Sequence, residues 1–276
     1  MELIGQGMEG AVYDLGDGRV RKDWFERRPD DVRLMQAFLD EIPELPFRTP
    51  RIREIGAADN GLAISIEDKL TGTPLPSAEV AESDALDAFV TVVEALSTTT
   101  AGPAGKGLFV LNEPFWLPGL SWGESFAALV RRRAEASYRH FERDVTNFAA
   151  LLDSVTRRLA SIELEKLSIV HGDVCPPNLL MDGARPAALL DWGFYSMAGD
   201  NTLDAALAAG FFDMYGPEAR RLDTVLLKRF EALGHDRERM YLYRQAYAIT
   251  SATIYDAEAG DGHYQWCVAD LNRLPR

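Results

Sequence analysis

The run His171-Gly172-Asp173-Val174-Cys175-Pro176-Pro177-Asn178, with Asp191-Trp192-Gly193 after it, constrains the fold of this 276-residue chain more than any other segment. Between its two halves lie the apolar triplets Leu179-Leu180-Met181 and Ala188-Leu189-Leu190, flanking Asp182-Gly183. Apolar runs around an Asp-Gly pair predict a small β-hairpin. The polar residues of the run therefore bracket a hairpin, and whatever precedes and follows it must pack around that unit.

What precedes it falls into two parts. Leu3-Ile4, Ala11-Val12-Tyr13 and Arg19 to Lys22 read as strands, with Asp17-Gly18 as a tight turn. Val32, Met35, Phe38 and Leu39 lie at helical spacing within 29–42. Pro43, Pro46 and Pro50 break the chain into extended pieces, and Leu62 to Ile66 is a buried strand. Beyond a boundary near Lys69 to Pro74 the chain becomes helical. Ser83 is placed to cap a helix with the stripe Leu86, Phe89, Val90, Val93 and Leu96. Ser121-Trp122-Gly123-Glu124 is a capping box. Val145, Phe148, Leu152, Val155, Leu159 and Ile162 predict one long amphipathic helix, and helical patterning runs from Leu203 to Tyr255 with breaks at Gly216-Pro217 and Gly234. The expected fold is α+β and bilobal: an antiparallel-sheet lobe with one helix over 1–70, and a larger, mostly helical lobe over 71–276.

Composition excludes several classes. A formal charge of −14 opposes nucleic-acid binding, and the longest basic run, Arg131-Arg132-Arg133, reads as a solvated helix face. No apolar stretch approaches the ~20 residues that span a bilayer, and MELIGQG is no secretory signal. Cys175 and Cys267 form neither a disulfide framework nor a metal cluster, so a cytoplasmic protein with reduced thiols is expected. Monomer and dimer are both open.

The spacing of Asp173, Asn178 and Asp191 resembles that of a kinase catalytic site. That resemblance implies that Asp173 orients a hydroxyl and accepts its proton, and that Asn178 and Asp191 hold Mg²⁺ through oxygen atoms. Gly5-Gln6-Gly7-Met8-Glu9-Gly10-Ala11-Val12 fits G-x-G-x-x-G-x-V. Gly5, Gly7 and Gly10 let backbone approach phosphate oxygens, with Val12 on the following strand. A dinucleotide-binding loop would open into a helix, whereas strand residues follow here. Lys22, on the return strand, is placed to meet the α- and β-phosphates of ATP. Arg21 points to the opposite face. The acidic partner of Lys22 is expected from the helix, with Asp31 the first choice and Asp30 or Glu41 as alternatives. Backbone at Glu67, Asp68 and Lys69 is expected to meet the purine. His171 and Asp204 read as structural braces of the loop, and Cys175 as a thiol without a nucleophile's partner.

The strings HGDVCPPNLL, ALLDWGFYSMAGD and LDAA, with LPFRTPRI and LTGTPL earlier, resemble the aminoglycoside phosphotransferase family. The family pattern is H-G-D-x₄-N, an apolar strand, D-W-G, a Gly-Asp and D-x-A. The match is sharp over 170–206 and extends back to residue 5. Two departures stand out: Cys175 replaces a frequent His, and the glycine loop is fuller than in many members. The resemblance implies a bilobal small-molecule kinase using ATP and Mg²⁺, with antibiotics or amine metabolites as hydroxyl acceptors. A protein kinase is the enzyme alternative, disfavoured because H-G-D replaces H-R-D. A nucleotide-binding pseudokinase acting as an interaction module is the other, disfavoured because all the catalytic groups are present. For a cationic acceptor the candidate contacts are Asp200, Asp213, Glu218, Asp256, Glu258 and Asp261, with Tyr255, Tyr264 and Trp266 as stacking surfaces.

Overall fold

A computed structural model describes residues 1–255 and 262–275. The first lobe contains β1 (Glu2–Gln6), β2 (Gly10–Asp14), β3 (Arg19–Trp24), α1 (Pro29–Glu41), β4 (Ile52–Ala57) and β5 (Ala63–Asp68). Its five strands form an antiparallel sheet in the order β1-β2-β3-β5-β4. On β3, Val20 and Trp24 are buried. Strand alternation puts Lys22, midway between them, on the same face. Gly16 and Gly18 take positive φ in the turn before β3, where Asp14 and Asp17 carboxylates accept Gly16 N–H and Arg19 N–H.

Helix α1 begins with Pro29 at its first position. Its buried stripe is the expected Val32, Met35, Phe38 and Leu39. The Arg51 guanidinium donates to the carbonyls of Leu39 and Ile42, satisfying the helix C-terminus with a cation. The extended stretch after Pro50 is a strand, β4, at the sheet edge.

The second lobe contains β6 (Thr73–Pro74), α2 (Glu82–Thr98), β7 (Phe109–Val110), β8 (Glu113–Pro114), α3 (Trp122–Ala136), α4 (Tyr138–Asp144) and α5 (Phe148–Ala160). Then come β9 (Ser168–Val170), β10 (Leu179–Asp182), β11 (Arg185–Leu189), β12 (Met197–Gly199), α6 (Thr202–Phe211), α7 (Ala219–Ala232), α8 (Arg237–Ser251) and α9 (His263–Arg273). The capping box forms as read, with Ser121 Oγ accepting Glu124 N–H at 3.2 Å and Glu124 accepting Ser121 N–H at 2.8 Å. No described helix is long and apolar enough to cross a membrane.

Two expectations need correction, and one strand pair was missed. Helix α2 starts one residue before Ser83, with Ala81 at the cap position. The helix expected over 145–162 forms as α5 but is shorter at both ends: Asn147, at φ 53°, which Asn tolerates better than most residues, sits at its cap position and separates it from α4. Val145 and Ile162 are buried all the same. Strands β9 and β12, paired antiparallel, were not foreseen, because three-residue strands buried on both faces carry no alternation.

The hairpin β10–β11 forms as read, and β6 joins its other edge. Leu190 N–H donates to the Asn178 carbonyl at 2.8 Å, closing the hairpin base. Asn178 and Asp191 are thereby carried to one end. Among the C-terminal helices, buried Arg244 on α8 donates to Asp223 of α7, to Asp270 of α9 and to the Ala206 carbonyl of α6. Arg273 caps both carboxylates from outside.

Candidate active site

The loop from β9 to β10 is held by groups the sequence reading placed only as braces. Gly172 has φ 80°, and a Cβ there would lie 2.3 Å from that of Tyr195, so a side chain does not fit. The Asp204 carboxylate accepts His171 N–H at 2.9 Å, Gly172 N–H at 2.6 Å and the Asn201 amide at 2.7 Å. Burial pushes its proton affinity up to about 7, against the pull of those three donors. Asp204 is thus tied into the loop as well as into the first turn of α6.

His171 Nδ1 accepts Asp173 N–H at 3.1 Å, so Nε2 carries the proton and donates to the Leu190 carbonyl at 2.8 Å. The ring stands edge-on to Trp192. Burial lowers its pKa from 6.5 to about 4. A histidine that is harder to protonate folded than unfolded stabilises fully above pH 6.5 and progressively less as pH falls towards 4. We expect this group alone to remove up to ~3 kcal/mol over that interval. Urea unfolding of wild type and His171→Asn at pH 7.5 and 4.5 checks it: the variant should lose less stability, and equal losses would contradict the assignment.

Asn178 donates its amide to the Asp173 carbonyl at 3.0 Å and to the Asp173 carboxylate at 2.9 Å. Burial, then the charges of Asp191 and Glu9, push the Asp173 carboxyl up to about 8, with Asn178 and Cys175 pulling it back. The rise makes its ionised form a stronger base, and that ionised form is the one that can accept a proton from a hydroxyl. Burial and the Asp173 charge also push the Cys175 thiol well up, so it stays protonated.

Asp191 adopts φ 58°, and its Oδ1 lies 3.6 Å from Lys22 Nζ. Lys22 also lies 3.8 Å from Glu9 Oε2 and stands over the Trp24 ring. The helix acids expected as its partner lie elsewhere. Asp31 accepts Arg28 N–H at the start of α1, Asp30 pairs with Arg33, and Glu41 accepts Ala104 N–H. The inward stripe of α1 is wholly apolar, which leaves these acids off the face turned to β3. Glu9, in the turn of the glycine-rich segment, was not foreseen as the partner; its position within that segment was the available signal.

Gly7 N–H donates to the Gly10 carbonyl at 3.0 Å, closing the turn between β1 and β2. A Cβ on Gly10 would meet the Asp23 carbonyl at 2.4 Å. Gly5, Gly7, Gly10, Val12, Lys22, Glu67, Asp68, Lys69, Asn178 and Asp191 all line one cavity of about 450 Å³. Apolar walls that the sequence reading missed come from Val20, Ile52, Leu70, Leu180 and Leu190. The side chains of Glu67, Asp68 and Lys69 are engaged by Ser65, Arg53 and Asp14.

A second cavity, of about 610 Å³, adjoins the first at Gly7, Glu9 and Asp191 and has Asp173 in its wall. Phe194, Phe211, Phe212, Tyr215, Tyr247, Tyr255 and His263 line it. Of the carboxylates expected for a cationic acceptor, Asp213 lines this cavity, and it also accepts Glu218 N–H. Asp200 is turned instead to Tyr243 and Arg239, and Glu218 to Arg221. Asp256, Glu258 and Asp261 lie outside the described residues. Tyr255 is in the wall, Tyr264 donates to Asp144, and Trp266 packs behind Phe211.

Among the described residues no three His, Cys, Asp or Glu side chains gather as a ready metal cage. Asp191 and the amide oxygen of Asn178 are hard donors at one end of the hairpin. Such a sparse oxygen set fits Mg²⁺, which keeps water and takes substrate phosphate oxygens instead of filling an all-protein cage.

No curated protein sequence matches the chain significantly. Solved structures do match in fold. The aminoglycoside phosphotransferase APH(4)-Ia in ternary complex with AMP-PNP and hygromycin B superposes with a TM-score of 0.68 at 15% identity, over 98% of this chain and 90% of that one. The GDP and kanamycin complex of an APH(2″) enzyme gives 0.63 at 16%, over 98% and 91%. Macrolide 2′-phosphotransferase MphH from Brachybacterium faecium gives 0.56 at 19%, again over 98% and 91%. These likenesses show the bilobal kinase-like fold. The profile of the APH phosphotransferase enzyme family matches residues 1–243, and with that match over most of its length the chain belongs to this family of small-molecule kinases.

Proposed function

We propose that this enzyme transfers the γ-phosphoryl group of ATP to a hydroxyl of a small molecule that carries an amine or other cationic group. The supporting observation is the meeting of two cavities: one lined by the glycine-rich turn and Lys22, the other aromatic, with Asp173 in its wall next to Asp191. ATP occupies the first. Lys22 and the glycine backbone fix its phosphates, and the 67–69 segment meets the purine. Asn178 and Asp191 would hold Mg²⁺, which would supply charge neutralisation during transfer. The lobe division proposed near residue 70 puts the nucleotide-binding turn in one lobe and Asp173 in the other.

The acceptor enters the aromatic cavity. Asp173 takes a hydrogen bond from its hydroxyl and receives the proton as the oxygen bonds to the γ-phosphorus. The bond from that phosphorus to the bridging oxygen breaks, and ADP departs with the electron pair. Asn178, by donating to Asp173, fixes the direction from which the hydroxyl is met. Asp204 and His171 keep the loop in place from behind.

The cationic acceptor follows from the wall. Asp173 and Asp213 contribute carboxyl groups beyond the Glu9 and Asp191 carboxylates already paired with Lys22 and Arg27, no lysine or arginine lines the cavity among the described residues, and rings suited to cation–π contact surround it. The aminoglycoside complexes of the structural neighbours support this class, and the macrolide enzyme supports a bulky acceptor. The test is Mg·ATP-dependent ADP release with aminoglycosides, macrolides, choline, homoserine and amino sugars. With the acceptor found, its KM should rise severalfold between low and 0.3 M salt, as screening shortens the reach of the carboxylates. A salt-insensitive KM would exclude the cationic class.

A further inference from the structure

We propose that Glu9 is a positioning residue for Lys22, taking the place that a helix carboxylate holds in protein kinases. The inference rests on the phosphotransferase reading. In kinases a lysine of the sheet is held for the phosphates by a glutamate of the adjacent helix. Here α1 has no carboxylate to offer: its inward residues are apolar, and Met35 reaches the Asp191-Trp192-Gly193 element, its Cε lying 3.1 Å from where a Cβ on Gly193 would be.

Glu9 fills the gap from the opposite side. Its backbone is fixed by Phe25 N–H, which donates to the Glu9 carbonyl at 2.9 Å. Its Oε1 accepts from Arg27 at 2.5 Å and 3.2 Å, and the same guanidinium donates to the Gly193 carbonyl at 3.2 Å. Both side chains are largely buried. Oε2 is buried without a hydrogen-bond partner and lies 3.8 Å from Lys22 Nζ. A buried carboxylate oxygen left in this state calls for an explanation. A charge that keeps Lys22 extended towards the nucleotide supplies one. Arg27 then links two elements, since one guanidinium holds the glycine-rich turn, through Glu9, and the Asp191-Trp192-Gly193 element, through Gly193.

Calorimetric titration of the whole enzyme with Mg·ADP tests this without needing an acceptor. Glu9→Gln keeps the shape and removes the charge. It should weaken binding about tenfold, Lys22→Met should weaken it similarly, and the double variant should be no weaker than Lys22→Met alone, as expected of two residues acting through one contact. Arg27→Met, which releases Glu9, should also weaken binding severalfold, and it provides the answer if thermal melting shows Glu9→Gln unfolded. Unchanged binding by a folded Glu9→Gln overturns the proposal. So does tighter binding, which would make Glu9 a competitor of the phosphates for Lys22, and so do losses that multiply in the double variant. Wild type that fails to bind Mg·ADP overturns the phosphotransferase reading along with it.

Discussion

Asp173→Ala is expected to lower acceptor-dependent ADP release by ~10²–10⁴-fold, the usual worth of a positioned general base. Affinity for Mg·ADP should change little, because Asp173 lines the aromatic cavity and is absent from the wall of the glycine-lined one. The two readouts separate a base from a brace. Were Asp173 chiefly a brace of Asn178, removing its carboxylate, which accepts one of the two Asn178 amide bonds while the other goes to backbone that alanine keeps, would lower nucleotide binding together with turnover. Asp173→Asn should be nearly as damaging to turnover: it keeps the volume and loses the proton acceptor. Single-turnover rates with saturating nucleotide provide the measurement. A variant that retains more than about a tenth of the wild-type rate would rule out the role.

The largest expected effect on stability lies away from the cavities. Arg244→Met leaves the buried carboxylates of Asp223 and Asp270 with Arg273 alone, and that residue reaches them from the surface. Removing one partner of a buried ionic group costs ~3–5 kcal/mol, since the remaining charges cannot be rehydrated. At ~2–4 °C per kcal/mol for chains of this size, the melting temperature should fall by roughly 10 °C. The triple variant Arg244→Met, Asp223→Leu, Asp270→Leu should recover much of the loss, because apolar replacement of a whole buried ion cluster is commonly neutral. A drop of less than ~1 kcal/mol for Arg244→Met would mean that water reaches the cluster.

Local patterns account for what could be read in advance. The hairpin of Leu179 to Leu190 and the polar run before it are short-range features, set by turn chemistry and strand alternation. The glycine-rich turn was legible for the same reason, and so were the stripe of α1 and the capping box at Ser121. Long-range pairings were not. Glu9 meets Lys22 and Arg27 only once the sheet has folded, so charge counting along α1 favoured Asp31 in its place. The stripe Val32, Met35, Phe38 and Leu39 already pointed away from that choice, because it fills the inward face. The acceptor cavity draws on Asp173, Phe194, Phe211, Tyr215 and Tyr247, which lie on separate elements and share no sequence pattern. Carboxylates chosen by charge fared accordingly: Asp213 reached the cavity, whereas Asp200 is taken up by Tyr243 and Arg239. The start of α5 at Phe148 instead of Val145 escaped a pattern that registers apolar spacing and is blind to one left-handed residue, Asn147, at the cap.

The most direct test of phosphoryl transfer to a small hydroxyl compound is phosphorus-31 NMR of the reaction with Mg·ATP and the acceptor that releases ADP. The account predicts a new phosphomonoester resonance on the acceptor, formed in step with ADP and absent with Asp173→Ala. ADP accompanied only by inorganic phosphate, or by phosphate attached to protein, would contradict it.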